Sequence, residues 1–221
     1  MIRVGAWTLL VYRVPTEPAS RRVAIWRHLK RMGGLYLQQC VCLFPARTEI
    51  LAELELRAAE IRESGGDVTI FDIPELRPGD EERIITTFRD LRNKDYAEII
   101  EECETKFVKE IEFEHFRQNY SYAETEEIRQ DLEKLQRWFQ RVVDRDWFGA
   151  DRREETQSWI TRCSELLAEF EQEVYRRQNG DLGQAFDLDL APISTMPGTT
   201  RVAPDDTVDG EHGAGTTEVD R

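Results

Sequence analysis

Nowhere in its 221 residues does this chain offer the ~20 consecutive apolar positions that a membrane-spanning helix needs. No basic stretch leads into a cleavable apolar segment at the N-terminus either. A soluble cytoplasmic protein without a membrane partner is expected. Cysteine is scarce: Cys40, Cys42, Cys103 and Cys163 are too few and too scattered to staple a secreted domain, and a reducing compartment fits them. Histidine is scarcer, at three. Glu112 and His115 form one Glu-x-x-His, but His28 and His212 lie too far away to complete a second half-site, so no metal is expected. The chain also lacks a nucleophile elbow and a glycine-rich phosphate loop, since Gly33-Gly34 and Gly65-Gly66 read as helix stops. These absences predict no catalytic residues, no cofactor and no enzyme.

The most informative absence concerns charge. The formal net charge is -14, which argues against nucleic acid, whose binding depends on neutralising phosphates. Yet no acidic residue occurs between Pro18 and Thr48, while Arg21, Arg22, Arg27, Lys30, Arg31 and Arg47 all fall there. Much of the negative charge sits elsewhere, with nine acids against two bases in residues 181–221. Positive charge is therefore local.

The apolar pattern divides the chain in two. Trp7 to Val14 reads as a central strand, apolar on both faces, ended by Pro15. Pro18 suits a first helical turn, and Val23, Trp26 and Leu29 make an apolar stripe for a helix stopping at Gly33-Gly34. Leu35 to Phe44 is again strand-like, as two short strands or one bent at Gln38-Gln39, and Pro45 closes it. Thr48 is expected to cap a second helix through Ile50, Leu54, Ala58 and Ile61, with Asp67 to Ile73 as the last strand. The order β-α-β-(β)-α-β predicts an α+β, ferredoxin-like domain over 1–78, an antiparallel sheet with two helices on one face. From 79 to 178 three segments with helical spacing follow: Tyr96 to Ile111, Ile128 to Val142 and Trp159 to Val174. They are expected to form an antiparallel three-helix appendage. Residues 179–221, poor in aromatic and branched side chains and rich in Asp, Gly, Thr and Pro, read as a disordered acidic tail.

Arg27, Lys30 and Arg31, at i, i+3 and i+4, share one helix face, with Arg21 and Arg22 near its N-terminal end. Such a face suits phosphates; the plainer reading is a solvated face whose long stems cover apolar surface. Cys40 and Cys42 share a strand face, as a metal-ligand or redox pair would. No second such pair completes a site, so small core residues are the preferred reading. Arg13, where the first strand leaves the sheet, can grip an oxyanion or phosphate, or simply pair with a carboxylate such as Asp67.

The stretch "VYRVP…RRVAIWRHLKRMGGLYLQQCVCLFP" resembles the ferredoxin-like domain of the CRISPR-adaptation nuclease family and of the phenylacetate-degradation repressors. In the nucleases an Asp ends the first strand and ligates metal. Arg13 occupies that slot here, and a fixed cation cannot hold Mg²⁺. A closer resemblance, carried by "WTLLVYRVPTEPASRRVAIWRHLKRMGGLYLQQCVCLFP", "DYAEIIEECETKFVKEIE", "YAETEEIRQDLEKLQRWFQRV" and "RDWFGA", is to the N-terminal region of the chromate-resistance regulator ChrB family. The resemblance implies a chromate-responsive DNA-binding regulator, with basic N-terminal residues as DNA contacts. In that family a second domain follows; here the disordered, net-acidic tail of about forty residues stands in its place, which implies a partial or accessory member. The leading expectation is thus a homodimeric, non-enzymatic regulator whose Arg21, Arg22, Arg27, Lys30 and Arg31 meet DNA phosphates and whose Arg13 meets DNA or an oxyanion such as chromate. The alternatives are a protein-interaction module and, last, a divergent metal-dependent nuclease.

Overall fold

The computed structural model describes residues 6–15, 17 and 19–186, with side chains as far as residue 180. Pro18 and most of the acidic tail lie outside the described residues. The first part comprises β1 (Trp7–Arg13), α1 (Ala19–Arg31), β2 (Leu35–Gln38), β3 (Val41–Pro45), α2 (Thr48–Glu63) and β4 (Asp67–Ile73). All three strand pairings are antiparallel and the sheet order is β2-β3-β1-β4, the ferredoxin-like arrangement. Strands β2 and β3 are separate, joined by a tight turn at Gln39-Cys40.

The second part is helical. α3 (Pro78–Glu102) runs through a five-residue π-helical stretch, Cys103–Phe107, into α4 (Val108–Arg117). α5 (Tyr122–Val143) and α6 (Arg153–Phe186) complete it. α3 starts about five turns before the expected apolar pattern at Tyr96, and α6 continues beyond 178. A bundle core of Ile99, Cys103, Phe107, Leu132, Leu135, Cys163, Phe170 and others is as the spacing suggested.

Two expectations need correcting. The stripe Val23/Trp26/Leu29 is not what α1 buries: Ile25 and Leu29 are buried, whereas Val23 is 39% and Trp26 41% exposed. At 100° per residue, positions 25 and 29 flank one direction closely and position 26 lies well to one side of it. Thr48 is not the cap of α2. Arg47 holds that position, with no capping side-chain hydrogen bond.

The sheet is covered on both faces. α1 and α2 pack one, through Leu10, Ile25, Leu29, Phe44, Leu54 and Ile61. On the other, Trp7, Leu35 and Leu43 pack against Ile84 and Phe88 of α3 and against Phe148. The core thus continues across residue 78, and the described residues of both parts, as far as residue 182, fall in one compact unit.

Candidate nucleic-acid interface

α1 ends in a tight turn. Gly33 takes φ +87°, a conformation that costs glycine little, and its amide and that of Gly34 bond back to Lys30 and Leu29. A side chain at Gly33 would run into Arg145 and Trp147, so the turn presses on the segment after α5 and sets the orientation of α1. Arg145 and the buried Arg92 both pair with Asp95, at 3.0 and 3.1 Å. On the other side His28 Nε2 lies 2.7 Å from Glu53 Oε1, tying α1 to α2. The helix is thereby held with its remaining faces open.

On those faces stand Arg21, Arg22, Arg27, Lys30 and Arg31, all exposed. None forms an ion pair with any described carboxylate. Lys30 Nζ lies over the Trp26 ring at 4.6 Å, and Arg31 reaches only the His28 ring, at 3.5 Å. The bundle differs: Lys106, Lys109, Arg117, Arg129, Lys134, Arg137, Arg176 and Arg177 each pair with a glutamate or aspartate. Cations at the C-terminal end of α1 also meet the favourable end of its dipole.

The five cations do not form a single stripe. Arg22 and Arg27 border a cavity of about 430 Å³ between α1 and the β2–β3 turn, lined also by Tyr12, Val23, Trp26, Tyr36, Gln38, Gln39 and Cys40. Arg31 borders a different cleft, with Arg47, Trp138, Arg141 and Trp147. Tyr12 and Tyr36 share a hydroxyl hydrogen bond of 3.0 Å. Burial raises the pKa of both above the ordinary tyrosine value, so they stay neutral at physiological pH. Burial also pushes the neighbouring Cys42 thiol up to about 12. The cavity thus carries positive charge and none of the opposite sign. Sequence reasoning missed its aromatic wall. The signal was there in Arg22-x₃-Trp26-x₃-Lys30, which places cations one turn before and one turn after an indole.

Arg13 stands opposite Asp67 in the β1–β4 register, with its guanidinium donating to the carboxylate at 3.3 Å; both are more than 80% exposed. Cys42 is a core residue and Cys40 sits in the turn at φ +65°; the four cysteines are free. Glu112 and His115 are exposed on α4, with His115 Nδ1 3.0 Å from the Tyr120 hydroxyl. Among the described residues a different carboxylate group draws together, Glu110, Glu114 and Glu124, and it includes no histidine. No described helix is long and apolar enough to cross a membrane.

A family model described as "Protein ChrB, N-terminal" matches residues 22–181, which take in α1 from Arg22 onward, the sheet from β2 onward, α2 to α5 and most of α6. The chain belongs to the ChrB N-terminal family. No curated protein matches it. The matched span of this ChrB-family chain contains four of the five α1 cations, Trp26 and the turn that completes the cavity.

Proposed function

We propose that this ChrB-family chain is a non-enzymatic, DNA-binding regulator or accessory protein of chromate resistance that meets phosphates with α1. The observation that carries the proposal is the unpaired state of Arg21, Arg22, Arg27, Lys30 and Arg31 beside a bundle whose surface cations are mostly paired. A guanidinium already held by a carboxylate must break that pair before it contacts a phosphate. A free one needs only to release water and the phosphate's counterions. The net charge of -14 opposes approach at long range, but screening over about 8 Å at physiological ionic strength leaves the local field in control near the helix. Arg13 is compensated by Asp67, so α1 is the better phosphate surface. As an arginine in the strand-end slot, Arg13 also supports the non-enzymatic reading.

Binding to the DNA upstream of the chain's own gene, measured by anisotropy over a salt series with and without chromate, tests this reading. Reversing Arg27, Lys30 and Arg31 to Glu should weaken every duplex alike and reduce the slope of log K against log salt by roughly three, near one per lost contact. Absence of duplex binding at low salt would refute it. A second reading, a protein-docking module, is favoured by one feature: Phe113, Phe116 and Tyr122 are all exposed where α4 turns into α5, Phe116 by 85%.

A further inference from the structure

We infer that the cavity between α1 and the β2–β3 turn holds one unpaired nucleotide of a DNA strand, its base against Trp26 and its phosphate against Arg22 and Arg27. This inference rests on the nucleic-acid reading above and specifies what one part of that surface recognises.

Four observations converge on it. Trp26 is 41% exposed on a helix whose neighbouring turns bury Ile25 and Leu29; Lys30 Nζ lies over its ring at 4.6 Å, and a large, half-exposed indole lining a cavity is a stacking platform. The cavity, at about 430 Å³, falls in the size range of small-ligand sites, roughly 300–1,000 Å³. Its lining has two arginines and no carboxylate, while its tyrosines and Cys42 below are held neutral by burial. An anion enters without meeting a repelling charge. Finally, the side chains of Arg22, Arg27, Gln38 and Gln39 make no hydrogen bond to any described residue, so two guanidiniums and two amides have donors and acceptors to spare around an apolar wall. Apolar wall, amide edge and cationic rim match, in that order, a base plane, a base edge and a phosphate.

The backbone keeps the cavity open. The β2–β3 pairing shifts register between Tyr36 and Gln38, and Cys40 adopts φ +65° in the turn, which non-glycine residues seldom do. The Tyr12 amide bonds to the Cys40 carbonyl at 3.0 Å, anchoring the turn to β1. With the turn so fixed, Gln38 and Gln39 line the cavity together with Trp26.

Duplex DNA presents its bases only by their edges, so a stacking cavity distinguishes unpaired from paired strands. The test uses the full chain with a fluorescein-labelled oligothymidylate and a duplex of equal length, each titrated over a salt series. Trp26→Leu, which keeps apolar bulk but removes the π face, should weaken the single strand by about 5- to 150-fold, leaving its salt slope and the duplex affinity unchanged. Trp26→Phe should recover most of the loss. Arg22→Gln with Arg27→Gln should lower the single-strand salt slope by about 0.7, the share of the one phosphate they hold. Circular dichroism melts of all variants guard against misfolding, and a shifted melt in Trp26→Leu makes Trp26→Phe and the arginine pair the deciding variants. If the wild-type chain binds duplex but not the single strand, or if Trp26→Leu lowers both affinities equally or neither, the cavity assignment is wrong while the α1 reading stands. If neither probe binds at low salt, both fall.

Discussion

Replacing Phe88 by alanine should destabilise the sheet and the bundle together. Phe88 is 2% exposed on α3, yet its ring lies 6.0 Å from Trp7 of β1, 5.7 Å from Trp147 and 5.2 Å from Phe148. Truncating a fully buried phenylalanine costs about 3–5 kcal/mol through lost transfer energy and the cavity left behind. Three aromatic neighbours, each pair adding about 0.5–1.5 kcal/mol beyond area, place the loss toward the upper end of that range. At roughly 2–4 °C per kcal/mol for a chain of this length, a loss of about 4–5 kcal/mol should lower Tm by about 8–20 °C. The assay is denaturant and thermal unfolding followed by far-UV circular dichroism, dominated by the helices, and by tryptophan fluorescence, to which Trp7 and Trp147 beside the mutated site contribute with Trp26, Trp138 and Trp159. Because the same core spans both parts, the two signals should move together and stay coincident. A loss below about 1 kcal/mol, or a variant whose fluorescence transition moves while its helical signal does not, would refute the view that α3 is integral to the sheet's core.

Gly34→Ala should destabilise by about 1–3 kcal/mol although its backbone is ordinary, because the added carbon collides with Cys42 and Phe44, both fully buried. Gly149, which has open space around it but φ +67°, offers a control in which strain acts without a clash; equal tolerance of alanine at position 34 and on an exposed loop would contradict the packing. Glu124, at the start of α5, has its pKa raised by burial and by the nearby Glu114, Glu127 and Glu110, with Asn119 acting the other way. A raised folded-state pKa means that this site's contribution to stability is fully present below the unfolded value and is lost as pH rises through the folded one. Glu124→Gln, which imitates the protonated form and keeps the Ser121 cap on the residue-124 amide, should therefore raise the unfolding midpoint at neutral pH and make no difference well below 4.5, the ordinary value; a lower midpoint at both would overturn the sign.

Much of this ChrB-family chain is decided by short-range patterns that any reader of the sequence can follow. Alternating and continuous apolar runs, stopped by Pro15, Gly33-Gly34, Pro45 and Gly65-Gly66, dictate four strands and two helices. The periodic spacing from Tyr96 to Val174 dictates three antiparallel rods. The gap in acidic residues from 18 to 48 places a run of cations on one helix. What these patterns do not decide is which of two overlapping apolar stripes a helix buries. Spacings of three and four both recur along one side of α1, and only the position of the sheet and α2 selects Ile25 and Leu29, leaving Trp26 outside. That choice creates the aromatic cavity. Packing over distance also brings Phe88 against Trp7, sets Arg13 opposite Asp67, and leaves the α1 cations without carboxylate partners. Pairing of charges and closure of cavities depend on residues far apart in the chain, so they are properties of the folded arrangement and not of any local stretch.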